Sequence, residues 1–333
     1  MARSTSPSAG RERVLITGGT GRIGAPLVRA LLARGDSVAV LTRDPSGLAA
    51  RGMAGARPVK GSLFDAAALA DGLAGATVVY HLAGGVRGRG ADTADRLNRE
   101  GTLAVLAAVR GAPLRAFVYA SSCAVYGDRS GLWVAEDYPP SPHTAYGEAK
   151  VAAERAVLDA ASGGLPARIA RIAAVYGPGL PFLQVDAMRA GRAWLPGEGR
   201  NIVPVVHVDD CVAALLRIGD ADTTGIFHVA GRTAPTLREF YTAVHARCGG
   251  TPVRFWSTWI PSALQLAAAR ANERVVARLG GRPRFTEDNL RLNTASVRLR
   301  TERLEKELGF AWQFGDHADG VRAAVEQAGA HAA

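Results

Sequence analysis

Arg13-Val14-Leu15-Ile16-Thr17-Gly18-Gly19-Thr20-Gly21-Arg22-Ile23-Gly24 decides the fold of this 333-residue chain. Its first five residues are mostly β-branched or apolar, as in a strand covered on both faces, and the glycines follow without a spacer. Residues 23–34 then carry Ala, Leu and Val at helical spacing. A strand, a glycine turn and a helix in that order make an anion site. The glycines permit a tight turn and close backbone approach, and the helix start offers free N–H groups and positive potential to a pyrophosphate. The turn therefore predicts dinucleotide contacts at Gly18, Thr20, Gly21, Arg22, Ile23 and Gly24.

Outward from the turn, strand-like runs at 37–42, 77–82, 116–121 and 167–172 alternate with helical stretches at 69–73, 94–110 and 146–161. Apolar strands separated by helices imply a parallel sheet with both faces covered, a doubly wound α/β fold. After Tyr176 the character changes. Gly177-Pro178-Gly179 and Pro196-Gly197-Glu198-Gly199 punctuate the chain, and helices dominate beyond Leu237. Residues 203–208 and 225–229 read as strands that return to the sheet. The expected organisation is a disordered leader at 1–12, a nucleotide-binding domain at 13–176 rejoined by 201–230, and a smaller, largely helical substrate lobe at 177–200 and 231–325.

Apolar residues make up 48% and charged residues 21%, which suits a folded globular chain beyond the leader. Residues 1–12 lack the apolar stretch of a secretory signal, and no apolar run approaches the roughly 18 residues of a membrane span. Cys123, Cys211 and Cys248 are widely separated, which argues against a disulfide framework and for a reducing cytoplasm. No metal is expected, because His81, His207 and Asp209-Asp210 lack ligand spacing. The net charge of +10 comes from scattered arginines without a basic run interleaved with aromatics, so nucleic acid is not an expected partner.

At the end of the 37–42 strand, where a carboxylate would hold the adenosine ribose, stands Thr42, followed by Arg43. A carboxylate repels a 2′-phosphate and a guanidinium grips one, so NADP is the expected cofactor. Asp44, turned inward, would keep NAD open. Tyr146-Gly147-Glu148-Ala149-Lys150 begins a helix, and residues four apart share its face. An ammonium beside a phenol favours the phenolate, which predicts a lowered pKa for Tyr146. Upstream, Ser121-Ser122-Cys123-Ala124-Val125-Tyr126-Gly127 leaves a buried strand, and a hydroxyl there faces the crevice at the carboxyl edge of the sheet.

Together with His81-Leu82-Ala83-Gly84, Asn98, Gly101-Thr102, Val175-Tyr176-Gly177-Pro178-Gly179, Val206-His207-Val208-Asp209-Asp210 and Glu307-Leu308-Gly309-Phe310, these residues resemble the extended short-chain dehydrogenase/reductases. That group lies within the NAD-dependent epimerase/dehydratase superfamily, and the resemblance spans residues 13–325. It implies a Rossmann fold and an NAD(P)-dependent oxidoreductase with Ser122, Tyr146 and Lys150 as the catalytic set. In the implied roles Tyr146 exchanges the substrate proton, Lys150 holds the nicotinamide ribose and tunes Tyr146, and Ser122 orients the carbonyl or hydroxyl. Further implied cofactor contacts are Leu82, Ala83, Gly84, Asn98 and Val175, with Ser62 and Leu63 at the adenine. Ser62 stands where the family often has aspartate. Tyr126 is implied as packing or pocket wall. A homodimer through the helices at 94–110 and 146–161 and a small-molecule substrate are the implied partners.

Relatives that act on nucleotide-diphosphate sugars carry an arginine shortly before the Val-His-Val-Asp-Asp strand; here Val203-Pro204 occupies that place. Their Arg-Pro-Gly-Asp element is also missing from residues 281–287. Without those charge-assisted contacts the chain looks more like the 3β-hydroxysteroid dehydrogenase-like and dihydroflavonol reductase-like branch. The expected activity is oxidoreduction of a ketone or secondary alcohol. A nucleotide-sugar epimerase, dehydratase or 4-ketoreductase is the alternative, and a non-catalytic NADP-sensing protein is the reading from another class. Trp256, Trp259, Ile260, Leu264 and Leu266 are candidates for an apolar pocket wall or for packing within the helical lobe.

Overall fold

The structure, a computed structural model, describes residues 12–85, 95–256, 262–279 and 286–330. Seven parallel strands form its central sheet: β1 (Arg13–Thr17), β2 (Ser37–Thr42), β3 (Arg57–Lys60), β4 (Val78–His81), β5 (Ala116–Ser122), β6 (Ala167–Ile172) and β7 (Gly225–Val229). Their spatial order is β7-β6-β5-β4-β1-β2-β3. The winding reverses at β1, so a crevice opens at the carboxyl ends of β1 and β4. Val14 and Ile16 of β1 enter the core on one face, and Leu15 enters the core on the other. The doubly wound sheet predicted from the apolar runs is present. A third core, around Tyr176, Leu195, Phe240, Tyr241 and Val321, holds the later helices together.

Several local expectations are corrected. β3 has no apolar run: Arg57-Pro58-Val59-Lys60 contains a proline and two cations, which an edge strand tolerates and a central one does not. Residues 203–208 do not rejoin the sheet. Val205–His207 pairs in parallel with Ala174–Tyr176 as a separate ribbon. The chain peels away after Ile172, since the Ala173 N–H donates to Val229 O but the Ala174 N–H donates to Pro204 O. Glu12 is anchored rather than disordered: it pairs with Arg115 at 2.8 Å and accepts from the Thr77 hydroxyl.

Residue 94, where a helix is expected to start, lies outside the described residues; the chain beyond it shows a π turn, Arg96–Glu100, before the helix Gly101–Ala108. The short helix at 69–73 extends to Ala66–Leu73 because the Asp65 side chain caps it by accepting from Ala68 N. Residues 1–11, Trp259, Ile260 and residues 281–285 lie outside the described residues. Leu264 is 60% exposed on its helix. Among the described residues no helix is long and apolar enough to cross a membrane.

Candidate active site

The glycine turn packs its backbone directly on the end of β4. Gly18 has φ +73°, and a Cβ there would lie 2.6 Å from Ala83 N; a Cβ on Gly24 would lie 2.1 Å from Gly18 O. Neither position admits a side chain. The crevice beside the turn holds about 550 Å³ and is lined by Gly18, Thr20, Gly21, Arg43, Ser62, Leu63 and the backbone of Leu82, Ala83 and Gly84. A cradle of backbone at a helix start fits a dinucleotide. Ile23 and Gly24 shape the turn from behind, and Arg22 lines the neighbouring cavity.

At the far end of the crevice, the Thr42 hydroxyl donates to Asp44 O at 3.1 Å and accepts from Asp44 N at 3.2 Å. The Asp44 carboxylate accepts from the Ser46 hydroxyl at 2.6 Å and the Ser46 amide at 3.1 Å. Those bonds hold its pKa below the usual carboxylate range. Arg43 shares this end with Phe64 and with Arg96, whose guanidinium lies 4.2 Å over the Phe64 ring. Phe64 and Arg96 were not legible as crevice residues, since neither belongs to a recognisable motif and only the fold brings them together.

Asn98 acts from beneath. It is fully buried, and its amide donates to Gly85 O at 2.8 Å and accepts from Gly85 N at 3.3 Å, fastening the segment that follows Gly84. His81 supports it through one consistent run of donors. Thr102 Oγ1 donates to Asn98 O at 2.6 Å, so it accepts from His81 Nε2 at 3.0 Å. His81 Nδ1 then accepts from Thr17 Oγ1 at 2.6 Å. This chain demands a neutral imidazole, and burial, helped by the Lys150 charge, pushes the His81 pKa down to about 3.

Ser122 ends β5 and caps the following turn, its Oγ accepting from Ala124 N at 3.2 Å. Tyr146 and Lys150 sit in the first turns of the Ala145–Ser162 helix, which Thr144 caps through Gly147 N. Ser122 and Tyr146 are half-buried and line one cavity of about 770 Å³. Burial pushes the Tyr146 pKa up to about 12, although a hydrogen bond with Ser122 opposes the rise. The lowered value expected from the Tyr-to-Lys spacing is not found. The Lys150 ammonium is directed instead at Ala120 O, 2.8 Å away, and at the Tyr119 ring, 4.8 Å from its centroid. Lys150 is only 4% exposed, and burial lowers its pKa to about 8 despite the nearby Glu154 carboxylate.

A buried polar network behind these residues escaped the sequence reading. Ser121 Oγ donates to Glu154 at 2.5 Å, Arg171 bonds the same carboxylate at 2.8 Å, and Arg171 also donates to Tyr126 OH at 2.5 Å. Tyr126 OH meets His228 Nε2 at 2.5 Å, which places Tyr126 in this network. The signal was present: Arg171 is a charge inside the apolar strand β6, and Glu154 lies one turn beyond Lys150. Val175 packs on the core, while Ala173 and Ala174 line the cavity. Among the described residues no acidic, histidine or cysteine cluster could hold a metal, and all three cysteines are free.

A parallel sheet with this winding, a backbone cradle at its switch point and a Ser/Tyr/Lys set beside it define a nicotinamide-dependent Rossmann enzyme. Residues 14–230 match the model of the NAD dependent epimerase/dehydratase family, and the chain belongs to that family. It is 32% identical over 331 residues, 95% of this chain and 96% of the other, to a 4-hydroxy-2-methyl-3-oxo-4-farnesyl-3,4-dihydroquinoline-1-oxide ketoreductase of Stigmatella aurantiaca. It is 30% identical over 71% of its length to a dTDP-glucose 4,6-dehydratase of Streptomyces niveus, of which it covers 78%. The solved structure of MoeE5 in complex with UDP-glucuronic acid and NAD superposes with a TM-score of 0.76 at 26% identity, covering 97% of this chain and 100% of that one.

Proposed function

We propose that the protein is a cytoplasmic, NADP-preferring reductase of a small-molecule ketone, or dehydrogenase of the corresponding secondary alcohol, working as a homodimer. One observation carries the chemistry: Ser122 and Tyr146 open into the same cavity. Similarity to the Stigmatella ketoreductase along nearly the whole chain supports the reaction type. The likeness to MoeE5 favours nucleotide-sugar chemistry as the second reading. Against it, Val203 and Pro204 line the cavity where an arginine clamp would be needed. Arg43 on the crevice wall, with Asp44 engaged by Ser46, supports NADP over NAD.

A nicotinamide cofactor held in the crevice by the Gly18–Gly21 turn and residues 82–84 would supply hydride to the carbonyl carbon. Ser122 and Tyr146 are placed to donate to the carbonyl oxygen and so to stabilise negative charge developing there. Because its pKa lies near 12, Tyr146 carries its proton at neutral pH and can deliver it to the alkoxide oxygen as a general acid. Lys150 remains cationic below about pH 8, adding positive potential beneath the site, and would be the residue to hold the nicotinamide ribose of a bound cofactor.

The test follows nicotinamide absorbance with a panel of aromatic ketones, steroids and nucleotide sugars. Tyr146→Phe should lower kcat by about 10²–10⁴-fold and leave NADPH affinity nearly unchanged. Variant turnover within a few-fold of the parent would refute the assignment, and turnover confined to nucleotide sugars would favour the second reading.

A further inference from the structure

We infer that Glu154 is a positioning residue for the reaction: gripped by Ser121 and Arg171, it sets a fixed negative charge beside Lys150 and keeps that buried side chain an ammonium. The inference rests on the proposed function for what Lys150 does and adds the group that governs its charge. Lys150 and Glu154 stand one turn apart on the Ala145–Ser162 helix, and side chains at that spacing share a face. Both are buried, at 4% and 2% exposure. A Cβ on Gly84, which lines the cofactor crevice, would lie 3.3 Å from Lys150 Nζ, so the ammonium sits directly under the crevice floor. An ammonium shut away from water needs an anion close by.

The other ionisable groups around Lys150 and Tyr146 are His81 from β4, Tyr119 from β5 and Cys123 from the turn that follows it. Burial keeps all of them neutral at pH 7: His81 falls to about 3, Cys123 rises to about 11, Tyr146 to about 12, and Tyr119 is raised as well. The segment at 96–108 turns the uncharged Asn98 and Thr102 inward, while Arg96 and Arg99 pair with Glu100 at the surface. Among the described residues Glu154 therefore supplies the negative charge, and its attraction opposes the burial that lowers the Lys150 pKa to about 8. The carboxylate is held from three directions. Its Oε1 accepts from Ser121 Oγ at 2.5 Å and Arg171 Nε at 3.0 Å, and its Oε2 accepts from Arg171 Nη2 at 2.8 Å. Arg171 is fixed in turn, since its Nη1 donates to Glu136 O at 2.9 Å and to Tyr126 OH at 2.5 Å. Arg300 O can only accept, so His228 Nδ1 donates to it at 2.8 Å and His228 Nε2 accepts from Tyr126 OH at 2.5 Å. The Glu136 carboxylate is taken up by His228 N at 3.2 Å.

The chain has three lysines, Lys60, Lys150 and Lys306, so protein labelled with ε-¹³C-lysine gives three signals, and Lys150→Met assigns the buried one. Its titration is followed by NMR with no cofactor or substrate present. Glu154→Gln removes the anion alone. Glu154→Met/Arg171→Met removes both charges for apolar residues of similar length, an exchange that buried ion pairs often tolerate, and serves if the single variant does not fold. Either change should lower the Lys150 midpoint by at least about one pH unit, as expected for losing an opposite charge about one helical turn away. Ser121→Ala, which leaves the Arg171 grip and every charge in place, should move it by less than about half a unit. An unchanged midpoint in the charge variants, or an equal fall in Ser121→Ala, would overturn the inference. For a ketone that the protein turns over, the alkaline limb of kcat should fall at lower pH by the same amount, with KM little changed below the limb. A shifted midpoint with an unmoved limb would overturn the part given to Glu154 in the reaction. A shifted midpoint with no ketone turned over would count against the proposed function and leave the dependence of Lys150 on Glu154 standing.

Discussion

Replacing Lys150 by methionine should, on the proposed function, abolish turnover and at the same time raise stability at neutral pH, because a buried ammonium costs the fold. The ammonium is 4% exposed, and its pKa falls from 10.5 to about 8. At about 1.36 kcal/mol per unit, keeping it charged at pH 7 costs the native state roughly 3 kcal/mol. The sign follows from proton counting. Between about pH 8 and 10.5 the unfolded chain holds a proton that the folded chain has released, so stability rises with pH across that window. The penalty is therefore present in full below about pH 8. Methionine fills similar volume, removes the charge and forfeits the 2.8 Å bond to Ala120 O, worth about 1.5–3 kcal/mol for a charged donor, leaving a net gain of up to about 2 kcal/mol. With an unfolding entropy of about 2.1 cal/mol/K per residue, that gain raises Tm by up to about 3 °C. Scanning calorimetry of both proteins from pH 6.5 to 10 is the assay. The gap should be widest below pH 8 and close as pH climbs. A lower Tm for the variant at pH 7, or a gap independent of pH, would refute the reasoning.

Three further outcomes are expected. Arg43→Ala should cost NADPH about ten- to a hundredfold in kcat/KM and leave NADH nearly unaffected; equal loss for both cofactors would return the ribose contact to Asp44. Glu154→Gln should destabilise by about 3–5 kcal/mol in chemical denaturation, because it strands the Arg171 guanidinium in a site where both side chains are 3% exposed; a loss below about 1 kcal/mol would contradict a buried ion pair. The helices Gly101–Ala108 and Ala145–Ser162 expose Leu103 at 45% and Leu158 at 42%, and light scattering at micromolar concentration should find a dimer that Leu103→Glu weakens. A monomeric mass for the parent protein would rule that assembly out.

How far the site was legible follows from the range of the interactions involved. The glycine turn and the Tyr146-to-Lys150 spacing are read directly, because backbone sterics and the helix period act over a few residues. The place of residues 203–208 was misread, since strand-like composition does not say which neighbour a strand will find. Val205–His207 pairs with Ala174–Tyr176 only because the chain leaves the sheet after Ile172. The Tyr146 pKa was misjudged for a related reason. Spacing puts an ammonium on the same helix face, but burial and the competing Ala120 carbonyl decide what that ammonium does.

By itself the sequence determined the doubly wound sheet, the glycine cradle and the residue types available for proton transfer, all of which depend on neighbours close along the chain. The tertiary structure decided which distant residues meet. It joined Glu154 to Arg171, engaged Asp44 with Ser46, and set Asn201 and Asn293 in the cavity that Ser122 and Tyr146 share. Desolvation and hydrogen-bond geometry act through space, and only the folded chain specifies which groups are deprived of water and which partners remain to them.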